Sequence, residues 1–532
     1  MLHGRPVGHV QAGEIVRTVE KAVEEKLLYR RQFVLGPKGE LPGFGSWERL
    51  DVSGTHHLSV HPDLPVYQAT REGKSITLLG YMLDPDHPGA SDSDILESLI
   101  GELDTFSAFI PRTSRYGGRW ILIVNDGKET VLFHDAAGLR QICYALSPAS
   151  GETWCASQPG PIADIFRWKE DEKASEYMKA REEADHYNPT KVYWFPGDTT
   201  MYREIRALLP NHFLNLGNGE SVRYWPAETI GRIPLRKGVG ESVRTLRGLM
   251  ESARRRYSLS LSMTAGWDSR LMLALSKDNL QDMYCFTLSY PGTKDNDMDI
   301  GIPSALCGKF GVVHHLLHSP ADADPEFRNI YRKNSPSITQ AYHTDAQAIH
   351  DTCPPDRVCV TGDVAEVTKC YLRLPGAGRG KVSAHDLAMF ASMGSHPFVI
   401  EAFDQWISSL PELSDIHPLD LFSWEQVGGR WQALNQAGYD IALESFSPYN
   451  CRRLLTSILS VAEKHRLPPF YIFHRKLIAG LWEECLSEPI NPPQTITPKT
   501  VLLDFLVKSR IYRLIPGNAF HIAKNMYRKL AK

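Results

Sequence analysis

Residues 258–269 read SLSLSMTAGWDS, and this stretch decides the fold of the part of the chain that contains it. The pattern predicts a strand over Leu259–Met263, followed by a turn of small residues and a helix. A helix N-terminus behind such a turn favours a phosphate or pyrophosphate, and the hydroxyl groups of Thr264 and Ser269 add donors. Asp268 would repel phosphate directly, so its natural role is to hold a Mg²⁺ ion that bridges to it. An ordinary strand-to-helix turn capped by Ser and Asp is the alternative interpretation.

Strands and helices alternate on either side of this stretch. The periodicity predicts, in chain order, helix Ser242–Arg256, helix Arg270–Ser276, strand Met283–Leu288, helix Ile302–Lys309, strand Val312–Leu317 and strand Val358–Thr361. This alternation indicates a parallel sheet covered by helices on both faces. Residues 385–532 are predicted to be helical.

The chain before residue 226 has a different pattern, with short strands and frequent turn residues. Strands are predicted at Ser75–Tyr81, Trp120–Asn125 and Thr130–Asp135, the last two joined by a hairpin turn at Asp126-Gly127. A helix is predicted over Asp92–Leu103 behind the cap-like Ser91, and the charged residues 167–191 are predicted to form a solvated surface helix. Prolines and glycines at residues 226–238 place the boundary, which gives domains 1–225 and 226–532.

The composition is that of a globular protein. The 532 residues carry a formal charge of −3, with 42% hydrophobic and 23% charged residues, so the balance gives no reason to expect nucleic acid as a partner. The nine cysteines form no regular framework, and none precedes Cys143, which predicts reduced, mostly buried thiols. No apolar run approaches the ~18 residues of a membrane span, and residues 1–16 lack the apolar core of a secretory signal. We therefore expect a cytoplasmic protein.

Residues 264–269 resemble the S-G-G-x-D-S pyrophosphate loop of asparagine synthetase-type enzymes. Further matches follow the family's order from about residue 75 to 485: residues 118–144 to its G-R-F and R-D-x-x-G segments, 200–225 to L-P-P-G-H…R-Y-W, 285–288 to F-T/S-(I/L), 311–315 to L-G-x-x-H-H, 361–366 to S-G-E-G-x-D, and 448–450 to P-F-L-D. Their order and spacing make the combination specific. The resemblance implies an α+β Ntn-hydrolase-like sandwich followed by an α/β parallel-sheet ATP-pyrophosphatase domain (adenine nucleotide α-hydrolase-like) with a helical C-terminal part.

The resemblance also implies a role for each matching residue. The pyrophosphate loop would consist of Thr264, Ala265, Gly266, Asp268 and Ser269, with Gly362 in a second nucleotide-binding segment. The strand end at Phe286 to Leu288 would bind adenine through its backbone. Asp268 and Glu366 would share Mg²⁺, and Asp363 takes the family's acidic catalytic position. Lys476, 28 residues after Pro448, is the candidate cation for the reacting carboxylate and the leaving pyrophosphate, with Arg475 as its competitor.

Several positions depart from the family pattern. Ala265 replaces a Gly, Arg270 a Ser, and Val364-Ala365 a Gly-x pair. An Ala fits at residue 265 only where the backbone φ is negative or strain is tolerated. Asp363 and Glu366 keep their charge and change side-chain length.

The N-terminal part lacks the features of a glutaminase. Glutamine-using members of the family expose a cysteine as residue 1, whereas this chain begins Met1-Leu2-His3, and Leu79–Asp84 replaces the family's N-G-E-(I/L)-Y-N segment. Nucleophilic catalysis needs the thiol together with its activating amine. The sandwich is therefore predicted to have no glutaminase activity, as in β-lactam synthetase-type relatives, in which an amine on the substrate attacks the acyl-adenylate.

These features predict an ATP-dependent, AMP-forming C–N ligase, with ATP and Mg²⁺ as cofactors. It would adenylate a small-molecule or peptide carboxylate and transfer the acyl group to an amine without glutamine hydrolysis. The alternative is a non-catalytic family relative that acts as a partner in a biosynthetic pathway for a peptide or a surface polysaccharide. A homodimer and a complex with a pathway enzyme are both open. A base-modifying enzyme shares the loop, but no thiolation cysteines or basic nucleic-acid module accompany it.

Other patterns favour roles other than metal binding, and His314 and His315 are expected to lie in the core or in a substrate pocket. His314 and His315 face opposite ways on a strand, so a single metal ion does not suit both, and Cys353, Cys359 and Cys370 lack zinc spacing. Residues 376–381 do not match a Walker A sequence and are predicted to be a flexible basic loop, with a role over bound phosphates as the alternative. The basic tail at 501–532 is predicted to be a terminal helix that packs on the domain, with contact to an anionic surface as the alternative.

Overall fold

The structure is a computed structural model of the 532-residue chain. It describes residues 26–37, 46–52, 54, 56–184, 194–294, 297–336, 341–370, 372–373, 382–412, 415–468 and 470–491. The predicted basic loop at 376–381, the tail at 501–532 and the first three residues lie outside the described residues. Within the described residues, no helix combines the length and the apolar character that crossing a membrane requires.

The N-terminal part contains two antiparallel sheets of six strands each. The first, in spatial order, consists of β10 (Arg206–Ala207), β8 (Cys143–Leu146), β9 (Thr153–Ala156), β1 (Phe33–Pro37), β3 (His56–Val60) and β2 (Glu48–Val52). The second consists of β12 (Ser221–Arg223), β11 (His212–Asn215), β7 (Thr130–His134), β6 (Gly117–Asn125), β5 (Lys74–Leu83) and β4 (Val66–Arg71). Phe33 and Leu58 of the first sheet pack against Ile121 and Leu132 of the second in one buried cluster, so the two sheets form a sandwich.

The third sheet is fully parallel and has five strands. Its spatial order is β15 (His314–His318), β14 (Tyr284–Ser289), β13 (Ser258–Ser262), β16 (Arg357–Val360) and β17 (Glu444–Phe446). The chain builds outward from β13 to β15 on one side and then crosses to β16 and β17 on the other. The strand order therefore reverses between β13 and β16, and an open α/β sheet binds ligands at the carboxyl ends of its strands at such a point.

Helices cover both faces of this sheet. One buried cluster joins β13 to the helices on one face through Leu249, Leu271 and Leu477, and a second joins Phe286, Leu317 and Ile349 on the other. The α-helices in chain order are Asp92–Gly101, Phe106–Phe109, Pro159–Phe166, Glu172–Ala184, Leu235–Arg256, Trp267–Leu275, Met298–Phe310, Pro325–Asn334, Ala341–Thr352, Ala384–Phe390, Pro397–Ser408, Pro418–Phe422, Ala433–Tyr439, Arg452–Leu459 and Ile472–Trp482. A π-helix spans Ser423–Gln432, and 3₁₀ turns lie at Ile110–Arg115, Leu280–Asp282, Ala365–Thr368, Glu463–His465 and Glu483–Leu486.

The predicted alternation of strands and helices around residue 258 is confirmed, whereas two other predictions are wrong. Residues 385–491 are not purely helical, because Glu444–Phe446 supplies the fifth strand of the parallel sheet. That strand has three residues, too few to produce a periodic signal. The helix Glu172–Ala184 is not only a solvated surface helix, since Tyr177 is 1% exposed and stacks on Phe398 at 5.6 Å. Its apolar residues are few and lie on one face among many charges.

A buried ion-pair network joins the sandwich to the parallel-sheet part, and we call it the arginine interface (Arg119, Arg140, Asp440, Glu444). Arg119 on β6 makes a bidentate pair with Asp440 and a 2.9 Å bond to Glu444. Arg140 donates to the other oxygen of Glu444 at 2.8 Å. Although burial alone would raise the pKa of Glu444, the neighbouring arginines outweigh it and lower that pKa to about 2.

Asn450 adds a neutral link between the same two parts. Its amide accepts from the Ala137 N–H at 2.8 Å and donates to the Gly118 carbonyl at 2.8 Å. Because both amide atoms are used and Asn450 is fully buried, this side chain fixes the sandwich against the last strand of the parallel sheet.

The cysteines form no disulfide, and all nine are free. Eight are buried and Cys353 is partly buried. The predicted burial of most thiols is therefore confirmed, and their reduced state stays a prediction.

Candidate nucleotide site

The loop Thr264–Ser269 lies directly after β13, at the carboxyl edge of the parallel sheet where the strand order reverses. The loop after β16, Thr361–Lys369, lies beside it. We call these two loops, together with Gln432 and Gln436, the crevice. The sequence predicted that both loops bind one ligand, and the topology brings them together.

The first loop is held by its own hydroxyl groups. Ser269 Oγ donates to the Thr264 carbonyl at 2.8 Å, lies 3.1 Å from Thr264 Oγ1, and accepts from the Thr264 N–H at 3.2 Å. The helix Trp267–Leu275 has Gly266 as its N-cap, and no side chain caps it. Its first N–H groups therefore keep the polarity that favours an anion.

The substitution of Ala265 for glycine is accommodated. Ala265 does not have a positive φ angle, so a Cβ atom brings no backbone strain there. Its N–H donates to Asp299 Oδ1 at 2.9 Å. Asp299 thus accepts a hydrogen bond from a backbone N–H of the loop, and the resemblance assigns phosphate binding to that loop.

Asp268 faces a lysine that the sequence did not predict. Lys369 Nζ lies 2.7 Å and 2.5 Å from the two carboxylate oxygens of Asp268 and 3.9 Å from Glu366 Oε1. Burial raises the pKa of Asp268 to about 6, against the lowering effect of Lys369. Burial alone would lower the pKa of Lys369, but Asp268 and Glu366 raise it, so Lys369 is charged at neutral pH.

This arrangement bears on the predicted magnesium site. A Mg²⁺ ion shared by Asp268 and Glu366 needs carboxylate oxygens that face a common space. The ammonium group of Lys369 occupies that position, and within the described ranges no group of three or more His, Cys, Asp and Glu is placed to hold a metal. As arranged, the residues fit an internal ammonium and do not fit a metal ion bound directly between the two carboxylates.

Gly362 and Asp363 begin the second loop. A Cβ atom on Gly362 would lie 2.5 Å from Asp268 Cβ, so only glycine lets the two loops approach this closely. Asp363 accepts from Thr361 Oγ1 at 2.8 Å and from the amide of Gln436. Burial, reinforced by the negative charge of Glu366, raises the pKa of Asp363 to about 6.

Gln432 organises the rest of this loop. Its Nε2 donates to Glu366 Oε2 at 2.7 Å, and its Oε1 accepts from the Val364 N–H at 2.8 Å. Val364 has a φ of 71°, in the left-handed region that a β-branched residue rarely adopts. The position at which the family has glycine therefore needs glycine-like backbone geometry, and Val364 adopts that geometry with strain.

The predicted cation, Lys476, lies on the helix Ile472–Trp482 and is exposed. Its neighbours on that helix reach the crevice. His474 Nε2 lies 2.8 Å from Thr368 Oγ1, and the guanidinium of Arg475 lies 5.3 Å from the ring centre of Trp267. These contacts bring the competitor Arg475 next to the loop, whereas the catalytic role of Lys476 stays a prediction.

The predicted adenine-binding strand end lies beside the first loop. Pairing between β13 and β14 ends at Ser262 and Phe286, followed by bonds from the Met263 N–H to the Phe286 carbonyl (2.9 Å) and from Thr287 Oγ1 to the Met263 carbonyl (2.8 Å). Leu288 pairs with Leu317 of β15, the neighbouring strand on the outer side of β14. Leu288 thus lies on the strand next to the loop, at the carboxyl edge of the sheet.

Arg270, the residue in place of the family's Ser, points away from the crevice. It is 1% exposed and donates to the carbonyls of Cys485 and Glu488 at 2.7 and 2.8 Å, and to that of Pro489 at 2.8 Å. The Asn491 N–H then donates to the Ala265 carbonyl at 3.1 Å. Arg270 therefore ties the segment after the last helix to the loop.

The two histidines of β15 have separate partners. His314 lies 2.8 Å from Thr287 Oγ1 and 2.7 Å from Ser304 Oγ through its two ring nitrogens. The ring of His315 stacks on Tyr284 at 4.0 Å. These contacts give both side chains structural roles.

Sequence reasoning missed four residues in or next to the crevice: Lys369, Asp299, Gln432 and Gln436. Lys369 carried a signal, because it follows Glu366 by three residues and so shares a helical turn with it. The other three come from distant segments with no motif of their own, and only the packing of the helices brings them to the sheet edge.

Comparisons with known proteins give weak similarities. No known protein family matches the chain, and no curated protein matches it. Among solved structures, glutamine phosphoribosylpyrophosphate amidotransferase from B. subtilis, complexed with ADP and GMP, is 12% identical over 68% of this chain and 75% of its own, with a TM-score of 0.24. The NH3-dependent NAD synthetase of Campylobacter jejuni is 14% identical over 33% and 83%, with a TM-score of 0.18. The glutamine-dependent NAD+ synthetase of Acinetobacter baumannii is 12% identical over 56% and 66%, also with a TM-score of 0.18. At these TM-scores none of them supports an argument about this chain.

Proposed function

We propose that this chain is an ATP-dependent, AMP-forming C–N ligase whose nucleotide site is the crevice. The observation that carries the proposal is the position of the uncapped helix N-terminus at Trp267, after the central strand and at the point where the strand order reverses. The resemblance of residues 264–269 to a pyrophosphate loop supports the same assignment.

The proposed reaction has two steps. An oxygen of the substrate carboxylate attacks the α-phosphorus of ATP, the bond to the β-phosphate oxygen breaks, and pyrophosphate leaves. The amine nitrogen then attacks the carbonyl carbon of the acyl-AMP, the C–O bond to AMP breaks, and AMP leaves with the electron pair. The proton lost from the amine goes to a base, for which Asp363 is the candidate because its pKa of about 6 leaves it ionised at neutral pH.

The residues of the crevice have distinct proposed roles. The N–H groups at the start of the helix Trp267–Leu275 bind phosphate oxygens, and the hydroxyl of Thr264 adds a donor. Lys369 supplies positive charge beside Asp268 (2.5 Å), and Arg475 and Lys476 are the candidates for neutralising the leaving pyrophosphate. Such preorganised groups stabilise the transition state because they need no rearrangement as charge develops.

The amine in this proposal belongs to the acceptor substrate. The segment that replaces the family's glutamine site, Leu79–Asp84, lies in and just after β5, where the Tyr81 hydroxyl donates to the Ser445 carbonyl at 2.6 Å. Tyr81 thus ties β5 to the parallel-sheet part. The sandwich is proposed to act as a scaffold for the ligase part, in a cytoplasmic protein.

The test is ATP–pyrophosphate exchange on the full chain with a library of carboxylates and Mg²⁺ present. We expect exchange with at least one carboxylate, and Asp268→Ala should lower its rate by about 10²-fold or more, because Lys369 loses the partner that holds its ammonium group in the crevice. Asp278→Ala is the matched control, because Asp278 is an exposed aspartate outside the crevice. Exchange that Asp268→Ala leaves untouched would contradict the site, and release of glutamate from glutamine would contradict the scaffold role.

The second candidate is a non-catalytic relative that acts as a partner in a biosynthetic pathway. The observation that favours it is that two groups proposed to act on the nucleotide already have partners within the chain. Asp268 pairs with Lys369, and the Ala265 N–H donates to Asp299. Calorimetry with ATP and Mg²⁺ separates the two candidates. Absence of ATP binding by the folded chain would favour the non-catalytic one.

A further inference from the structure

A second concave site lies away from the crevice, between the sandwich and the parallel-sheet part. Its lining combines positive groups, amides and apolar side chains, and we call it the arginine cavity. The lining residues that matter here are Arg31, Arg119, Arg140, Arg430, Ser335 and Trp194.

The positive charge of the arginine cavity exceeds its negative charge. Arg31, Arg119 and Arg140 share two carboxylates, Asp440 and Glu444. Arg430 makes no ion pair with a carboxylate in the described part of the chain, and its Nη2 donates to the Thr199 carbonyl at 2.6 Å. The four guanidinium groups therefore have two carboxylates in ion-pair contact, while Asp198, which pairs with Arg206, attracts Arg430 from a longer distance. An arginine does not lose its charge by giving up a proton.

Two buried donors of the lining have no partner among the described residues. They are Nε of Arg430, whose residue is 8% exposed, and Oγ of Ser335, whose residue is 2% exposed. A buried polar atom without a hydrogen bond is costly, and these two differ from the other such atoms of the described residues because both belong to side chains that line one cavity. Both atoms can donate, so an acceptor with negative charge satisfies them.

The remaining walls select the kind of anion. Trp194, Phe195 and Leu434 contribute apolar surface, and Gln32 and Gln158 contribute amides. Guanidinium forks match the geometry of a carboxylate, and apolar walls accept the carbon body of an organic acid. Inorganic phosphate would leave the apolar walls without contact.

From this geometry we propose that the arginine cavity binds a small organic carboxylate through Arg430 and Ser335. The site is separate from the crevice, although one helical segment serves both. Gln432 and Gln436 bond to the carboxylates of the crevice, while Arg430 and Leu434 on the same segment line the cavity. The proposal does not depend on ligase activity.

The experiment is calorimetry and thermal unfolding of the full chain without ATP. The probes are acetate, succinate, glutamate, benzoate and inorganic phosphate at constant ionic strength. We expect at least one organic carboxylate to bind and to raise the melting temperature. Arg430→Gln should weaken that binding at least tenfold and leave ATP binding in the crevice intact. Arg112→Gln is the matched control, because Arg112 is half exposed and pairs with Glu102 on the surface.

A second variant keeps the test decisive if Arg430→Gln fails to fold. Ala437 lines the cavity and is partly buried, and Ala437→Phe adds bulk without removing a charge. It should abolish carboxylate binding. The proposal is overturned if no organic carboxylate in the panel binds, if phosphate binds as tightly as the carboxylates, or if a folded Arg430→Gln or Ala437→Phe binds them unchanged.

Discussion

The crevice and the arginine interface both bury carboxylates beside cations, yet Glu444 of the interface and the aspartates of the crevice are held in opposite states. In the interface, Arg140 and Arg119, together with the neighbouring Arg31, lower the pKa of Glu444 to about 2, whereas burial raises the pKa of Asp440. In the crevice, burial and mutual repulsion raise the pKa values of Asp268 and Asp363 to about 6. Glu444 lies within ion-pair distance of three arginines, whereas the crevice has three carboxylates for one lysine. Several cations around a buried carboxylate stabilise its charged form, and a shortage of cations favours its protonated form.

Removing a cation from the interface should have the largest effect. Arg119→Met leaves Asp440 and Glu444 buried with one partner fewer, and breaking a buried ion pair costs about 3–5 kcal/mol. Urea unfolding of the full chain measures the loss. Arg112→Met, which removes an arginine half exposed on the surface, should change the free energy of unfolding by less than about 1 kcal/mol. Equal effects of the two variants would show that the buried ion pairs of the interface contribute no more to stability than an exposed one.

Lys369→Met removes the cation from the crevice and should lower the free energy of unfolding by a smaller amount, about 2 kcal/mol or less at pH 6, because Asp268 responds by taking up a proton. Its pKa is already about 6, and Lys369→Met should raise it further. A raised folded-state pKa gives stability that is present at low pH and lost as the pH rises through that pKa. Lys369→Met should therefore be less destabilised, relative to wild type, at pH 5.5 than at pH 8, as urea unfolding at the two pH values can check. A loss that does not vary with pH would contradict this.

The two regions should also show opposite pH dependences. Asp363 has a raised pKa of about 6, so wild-type stability falls relative to Asp363→Asn as the pH rises from about 4 to 6. Glu444 has a lowered pKa of about 2, so the deficit of Glu444→Gln should shrink as the pH falls below about 4.5, the range in which the unfolded chain takes up its proton. Urea unfolding of both variants at a series of pH values tests the signs. Slopes of the same sign would show that the regions do not differ electrostatically.

The smallest effect is expected at Val364. Val364→Gly relieves the strain of a φ of 71°, worth about 1–3 kcal/mol, but loses a fully buried side chain worth a similar amount. The two effects should nearly cancel and leave a change below about 1 kcal/mol. Val360→Gly is the matched control, since Val360 is equally buried in β16 without a positive φ, and it should lose about 3 kcal/mol. Thermal unfolding of both variants provides the comparison.

The sequence predicted the parallel sheet well because its strands follow a repeating βα pattern. The observed strand Ser258–Ser262 and helix Leu235–Arg256 lie within a few residues of the prediction or extend it. The strand Glu444–Phe446 was out of reach, because three residues have no period and its pairing with β16 spans over 80 residues of chain. Long-range pairing is a property of the folded chain that local patterns do not encode.

The site was predictable only in part, and for the same reason. The two loops carry motifs, and the topology places them side by side. The polar contacts that set their charges come from Lys369, Asp299 and Gln432, which no motif marks. Ala265 and Val364 show a further limit, since both replace a glycine and only Val364 has a positive φ. The sequence shows that a glycine is missing, but the backbone angle decides whether its absence matters.

The contact of Asn491 with the loop offers a practical way to observe the crevice. Its N–H bonds to the Ala265 carbonyl, and its side-chain oxygen would lie 3.7 Å from a Cβ on Gly266, while the residue itself is exposed. Eight of the nine native thiols are buried, so a cysteine at position 491 would react with a maleimide dye ahead of most of them. A fluorophore there would lie against the loop Thr264–Ser269 and would test the proposed nucleotide binding through a change in emission, without any turnover.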